Sequence, residues 1–458
     1  MPHIKQFHQP KLSIWQSAVD EVVSKRLVVQ KAAATPAANR LDTVAAASAG
    51  RGPRPDSSHP MIQEAADYCA AQPGSARPLL APSARALLSG GIEDTLCFCS
   101  NAAIKLAEAK ILCNQQDCQR YENDLGKFGD CDPLYAGAAV IYAEYFIAQC
   151  GKIPYRAYQN LSDFVIDGKL PAKARVAILG DWGTGQQAAL NVLEQIAAKK
   201  PDVVIHLGDI YYSGTAFEDQ TYFYEPWSRI LNLAQTKIPT FTMSGNHDMY
   251  SGGCGYYNLI DQLGQRASYF CLRNNDWQFL AMDTGLHDSN PSWNGAAATY
   301  LEDAELIWHK DKIGGAGNRR TVLLSHHPLF TAYENIEGGA VNLRLYAQVN
   351  TFIPKVDLWL WGHEHNFVVY EPYMGVERAR CLGHAAFPLS VDERPVQPHF
   401  AQVPVMKKDR NGKDITLGSA DGVVNHGYAI IDLDGASAAV GYYQDSDATT
   451  PLFEETIL

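Results

Sequence analysis

No stretch of this chain approaches the roughly 18–20 consecutive apolar residues that span a bilayer, so no membrane helix is expected. The first 26 residues also lack the uninterrupted apolar segment of a secretory leader. A cytoplasmic location is the expectation, and ten cysteines keep export open. An excess of basic charge is missing too: 38 Lys and Arg stand against 50 Asp and Glu, a net charge of −12. That balance argues against a broad electrostatic grip on nucleic acid, but not against a local site for one phosphate. The cysteines do not form the repeated close pairs of a structural zinc site. The densest run, Cys97, Cys99, Cys113, Cys118 and Cys131, is expected to be buried thiols, ahead of disulfides or zinc. Tandem repeats are absent. What remains is an ordinary globular composition, 46% hydrophobic and 19% charged, in a chain of 458 residues, long enough for more than one unit.

The texture divides the chain. Residues 1–60 read as an N-terminal arm and linker: a helix over 12–32, with Leu12, Trp15, Val19 and Val22 near helical spacing, then Gly- and Pro-rich sequence. Residues 61–160 read as a helical N-terminal region. Its two most apolar segments, 104–113 and 135–150, contain no Pro. They are core-packing helices rather than a cofactor box. At about residue 172 short β-branched runs begin. Residues 174–183, 202–212, 238–248, 277–285, 320–328 and 356–366 each run apolar and then end in a Gly-, Asp- or His-bearing turn. Helix-like segments such as 186–200 lie between them. This is α/β layering, and in such sheets ligands collect at the carboxyl ends of strands. A core over 172–390 is followed by a Pro-rich loop and a hairpin turning at Asp434 and Gly435, so that 391–458 completes the core.

The strand ends offer Asp181, Asp209 with Tyr212, Asn246 with His247 and Asp248, His326 with His327, and His363 with His365. Carboxylate, phenol, amide oxygen and imidazole together suit iron, manganese or zinc. There are too many ligands for one tetrahedral ion, and enough for two that share a carboxylate.

The blocks Gly180-Asp181-Trp182-Gly183, Gly208-Asp209-Ile210-Tyr211-Tyr212, Gly245-Asn246-His247-Asp248, Ser325-His326-His327-Pro328 and Gly362-His363-Glu364-His365 resemble, in order, those of the calcineurin-like metallophosphoesterases. Gly183 stands where most of that superfamily has a metal-binding His, and Tyr212 lies three residues after the second Asp. The two changes together resemble the purple acid phosphatase branch. The resemblance spans about 172–370. It implies a four-layer α/β/β/α sandwich, here with a helical N-terminal region. It further implies a first ion, ferric, on Asp181, Asp209, Tyr212 and His365. A second, divalent ion (Zn, Mn or Fe) would lie on Asp209, Asn246, His326 and His363, with Asp209 bridging. A hydroxide bridging the two ions would attack the phosphorus. His247 would orient the phosphoryl group or protonate the leaving oxygen, Asp248 would hold the other ring nitrogen of His247, and His327 is a second candidate acid. The activity implied is hydrolysis of small phosphate esters, acid-phosphatase-like and acting on monoesters. A phosphodiesterase acting on a nucleotide or lipid-headgroup ester is the alternative within enzymes. A metal-binding scaffold without turnover is the alternative of another class. A protein partner for the N-terminal region is not identifiable.

Blander readings apply elsewhere. His206, inside a strand, reads as a core residue, and Asp283 as structural. His287 and His309 read as solvated. His384, just after the last block, is a candidate for reaching the phosphate from a neighbouring loop.

Overall fold

The computed structural model describes residues 141–142, 145–146, 151–289, 297–389, 391, 397–420 and 422–458. The chain divides into two units, Met1–Gln149 and Cys150–Leu458. The expected arm, linker, five-cysteine run and nearly all of the helical N-terminal region fall outside the described residues. No helix among the described residues is long and apolar enough to cross a membrane.

The second unit is built on two sheets. Its strands run β1 (Val165–Asp167), β2 (Lys173–Leu179), β3 (Val203–His206), β4 (Thr240–Thr242) and β5 (Phe270–Arg273). Then come β6 (Trp277–Ala281), β7 (Arg320–Ser325), β8 (Leu358–Trp361), β9 (Phe367–Tyr370) and β10 (Ala379–Leu382). A short ribbon, β11 (Ser419–Ala420) and β12 (Val423–Val424), precedes β13 (Gly427–Asp434), β14 (Ser437–Gln444) and β15 (Phe453–Ile457). One sheet has seven strands in the order β1-β5-β6-β7-β8-β10-β9, and the other six in the order β15-β14-β13-β2-β3-β4. Within them β6-β7-β8-β10 and β2-β3-β4 are parallel. Each of the six apolar runs singled out in the sequence contains one of these parallel strands, except that β10 was not among them.

Strand alternation explains why these runs are apolar throughout. In β2, Ala174, Val176 and Ile178 face one cluster while Ala177 and Leu179 face another. In β8, Leu358 and Leu360 point one way and Trp359 and Trp361 the other. A side-chain period of two with both faces buried demands an unbroken apolar strand. The first cluster joins residues of both sheets and is the layer between them. Outside the six-stranded sheet lies helix α1 (Gln187–Ala198), which buries Ala189, Val192, Leu193 and Ile196. Outside the seven-stranded sheet lie α2 (Asp303–Gly314), through Trp308 and Ile313, and α3 (Leu343–Val349), through Leu345 and Val349. The result is the expected helix/sheet/sheet/helix sandwich. The C-terminal hairpin pairs β13 against β2, and its two-residue turn has Gly435 at φ 58°.

Two blander expectations need comment. His206 is buried with its Nδ1 2.9 Å from Thr242 Oγ1, a core histidine as expected. His309 corrects the reading of a solvated residue. It is fully buried on the inner face of α2, with its Nε2 3.2 Å from Glu305. The helix carries polar residues on both faces, so periodicity could not tell its sides apart.

Candidate metal centre

The carboxyl ends of β2, β3, β7 and β8 and the turn after β4 meet at one edge. Several of their candidate ligands sit on backbone that L residues rarely adopt: φ is 58° at Asp181, 73° at Asp209 and 69° at His363. Such left-handed positions cost about 1–3 kcal/mol and persist where surrounding contacts over-determine them. Here the contacts are explicit. The backbone N–H of His363 donates to Asp181 Oδ2 at 2.9 Å, and that of His247 to Asp209 Oδ1 at 3.0 Å. Gly183, the departure from the wider superfamily, has a packing reason. A Cβ there would lie 2.7 Å from the Cα of Ile210, so a histidine could not occupy that turn.

Two groups of donors result. In one, Asn246 Oδ1 lies 3.1 Å from His326 Nε2 and 3.1 Å from His363 Nδ1, and those two nitrogens are 3.3 Å apart. Asp209 Oδ2 is 3.3 Å from the same His326 nitrogen. Second partners set the orientation of each group. His326 Nδ1 is 3.0 Å from the carbonyl of Leu207 and donates to it, leaving Nε2 with a lone pair. Asn246 Nδ2 donates to Tyr250 at 2.6 Å, which turns Oδ1 towards the histidines. His363 Nε2 lies 3.6 Å from Glu334. Acceptors this close need a proton or a cation among them: without metal the His326 proton serves, and once that proton leaves the donor set fits a metal ion. His327 also borders this group: it forms a potential metal-holding cluster with His326 and His363. Its two ring nitrogens already face Thr284 Oγ1 at 3.2 Å and Asp288 at 3.1 Å.

The other group is Asp181, Asp209 and His365. His365 Nε2 is 3.6 Å from Asp181 Oδ1 and its ring stacks on Phe387 at 3.4 Å. Tyr211, beside the expected Tyr212, places its hydroxyl here, 2.9 Å from Asp181 Oδ1 and 3.1 Å from His365 Nε2. Tyr212 meets the neighbouring residues through its backbone: its N–H donates to Glu218 and its carbonyl accepts from His247 Nδ1 at 2.8 Å.

That last contact corrects the part given to Asp248. The His247 ring is held by a carbonyl. Asp248 instead accepts the N–H groups of Asp209 at 2.9 Å and Gly245 at 2.7 Å, tying two ligand turns together. His247 is buried between the rings of Tyr211 and Tyr250, with Nε2 4.0 Å from Asp209 Oδ2. His384 does not join the site. It is buried against Phe367, and its Nε2 would lie 2.6 Å from a Cβ on Gly427.

The electrostatics separate the two carboxylates. Burial raises Asp181 well above the usual range, and the charge of Asp209 adds to this. Burial pushes Asp209 the same way, but His326 and His247 hold it well below. For His326 burial opposes the charge, yet Asp209 and Asp181 outweigh it and raise the imidazole to about 9. Burial, helped by the neighbouring imidazoles His247 and His326, takes His365 down to about 3, and burial is also the main cause that lowers His247 and His363. Before metal enters, one proton on His326 answers the Asp209 charge, and the other rings are neutral and ready to ligate.

Sequence reasoning missed Tyr250, Thr284, Asp288 and Glu334, and had Tyr211 only as a residue within a ligand-bearing block. Of the missed residues Tyr250, four after Asn246, is the one near a predicted ligand in the chain.

Residues 174–367 match the calcineurin-like phosphoesterase family. The chain is 24% identical over 279 residues to the Arabidopsis thaliana protein named "Probable inactive purple acid phosphatase 1", covering 55% of this chain and 42% of that one. It is 25% identical over 209 residues to the Escherichia coli 3',5'-cyclic adenosine monophosphate phosphodiesterase, covering 44% of this chain and 68% of that one. The chain therefore spans less than half the length of the plant relative. A dimetal phosphatase from Danio rerio superposes over 62% of this chain and 98% of its own, with 12% identity and a TM-score of 0.39. Residues 174–367, which hold all five ligand-bearing strand ends, are thus the part of the chain that is similar to the calcineurin-like phosphoesterases.

Proposed function

We propose that the chain hydrolyses phosphate esters, monoesters first, with two metal ions held at this edge. The observation that carries the reading is the contact of Asn246 Oδ1, His326 Nε2 and His363 Nδ1 at 3.1–3.3 Å, three oriented lone pairs with Asp209 beside them. Asp209, Asn246, His326 and His363 would hold a divalent ion. Asp181, Asp209 and His365 would hold the other, with Tyr211 or Tyr212 as the phenol. Such a pair supplies charge to the phosphoryl oxygens and lowers the pKa of water towards neutrality. The chain's own groups do the rest. His247, with Nδ1 donating to the Tyr212 carbonyl, keeps Nε2 for the substrate, and once protonated can donate to a phosphoryl or leaving-group oxygen. Asp248 and the N–H groups it accepts keep the Asp209 and Asn246 turns in register. A ferric ion in the first position would fit a phenol ligand.

The plant relative's name calls it inactive, so a scaffold that binds metal without turnover is the reading to beat. The approach of His326, His363 and Asn246, and of Asp181, Asp209 and His365, supports a working centre over that scaffold. The likeness to the bacterial cyclic-nucleotide enzyme favours a phosphodiesterase as the second reading. The test pairs metal analysis with a substrate panel. About two metals per chain and turnover of p-nitrophenyl phosphate support the proposal. Cleavage of the bis ester alone moves the enzyme to diesters, and a loaded protein inert on both is a scaffold.

A further inference from the structure

Behind the turn that carries Asp209 lie two adjacent buried carboxylates with opposite surroundings. Glu218 closes a capping box with Thr215 and is saturated with donors. It accepts from the N–H groups of Tyr212, Ser213 and Thr215 and from Thr215 Oγ1. Asp219, the next residue, is only 3% exposed, and neither of its carboxylate oxygens has a hydrogen-bond partner. Asp248 Oδ1, in a fully buried side chain, has none either. Further acceptors crowd the same crease. A Cβ on Gly255 would lie 2.3 Å from Asp219 Oδ2 and 2.3 Å from the carbonyl oxygen of Gly214, so the two oxygens flank a cradle that only glycine leaves open. A Cβ on Gly214 would in turn lie 2.8 Å from the carbonyl oxygen of Asp248.

An unpaired carboxylate in the interior is costly, and buried charges are normally paired or coordinate a metal. Among the described residues no positive group offsets this one: after burial, the influences on Asp219 are the charges of Asp248 and Glu218, and all three push it towards the neutral form. The donor chemistry is oxygen only, carboxylate and carbonyl, with no imidazole or thiol. That selects a hard cation and differs from the imidazole-rich edge nearby.

We propose that Asp219, Asp248 Oδ1 and the Gly214 carbonyl form a separate structural site for a hard divalent cation of the calcium class. Through Asp248, which also accepts the N–H groups of Asp209 and Gly245, the cation would brace the metal-bearing turns. The proposal does not depend on which ester the enzyme cleaves.

The test uses the full chain, loaded with its two transition metals and then dialysed against calcium. Expected are one calcium per chain beyond the transition metals and a melting temperature that rises with calcium. Asp219→Asn should lose both at an unchanged transition-metal content. The competing arrangement is a neutral Asp219 acid donating to the Gly214 carbonyl. In that case the amide of Asp219→Asn replaces the donor, calcium has no effect on either protein, and the proposal is overturned. Should the variant fail to fold, the calcium count on the wild-type chain still decides, because a wild-type chain without bound calcium refutes the site.

Discussion

Most histidines of the second unit are buried, yet those at the strand-end edge and those in the interior have different surroundings. Inside, burial is the main cause that lowers His206 and His384 to about 3 and His426 to about 4, with His326 adding to it at His206 and His426 at His384. His206 is satisfied by Thr242, and His384 packs on Phe367. At the edge, His326 is raised to about 9 by carboxylates, and its Nε2 shares a small space with His363 Nδ1 and Asn246 Oδ1. Depth does not separate the two sets, since His365 at the edge is also taken to about 3. What separates them is where the second ring nitrogen goes. At the edge a carbonyl takes one nitrogen of His326 or His247, and the other is left facing neighbours that also present lone pairs.

The comparison can be broken most severely at the convergent group. Asn246→Ala or His363→Ala should lower ester hydrolysis by more than about 100-fold, the upper figure for losing an outer-shell partner, and cost about one divalent ion per chain. Retained turnover at full metal content would show that the lone pairs are not a metal site. His247→Gln should cut kcat by about 10²–10⁴-fold while elemental analysis finds the metals in place. Metal loss in that variant would instead make His247 a ligand. Tyr250→Phe removes only the contact that orients the Asn246 amide, and should weaken divalent-metal affinity by about 10-fold in a competition titration.

In the interior the expected effect is on stability. The neutral ring of His206 is favoured by the fold, because its pKa is about 3 there and about 6.5 in the unfolded chain. Its contribution is therefore complete above about pH 6.5 and is lost as the pH falls from there towards 3. Between pH 7 and 4.5 the loss should be about 2–3 kcal/mol, and His206→Gln should flatten denaturant-unfolding stability by that amount over the same range. The smallest effect is expected for His384→Phe, with turnover unchanged in the same ester assay. A large loss there would place His384 back among the groups that meet substrate.

Much of the site was legible beforehand. Residues such as Asp181, Asp209 and His326 follow apolar runs whose two-sided burial forces them to be parallel strands, so chain order alone brings the polar ends to one edge. The choice between Tyr211 and Tyr212 was not legible. They are consecutive in a turn, and backbone direction decides which ring reaches Asp181. The partner of the His247 ring was misassigned to its own neighbour Asp248, because a carbonyl from 35 residues earlier leaves no trace in side-chain identity. His309 and Asp219 were unreadable for a related reason. Their burial depends on what packs over the helix or turn, not on the local pattern.

The sequence by itself determined the layered fold, the order of the ligand-bearing turns and the chemical hardness of their donors, because strand periodicity and residue type are local properties. Only the tertiary structure decided which phenol meets Asp181, which nitrogen of His326 faces Asn246, and that Asp219 lies buried without a hydrogen-bond partner. Those outcomes depend on contacts across tens to hundreds of residues, and a hydrogen bond acts only where three-dimensional packing brings donor and acceptor within reach.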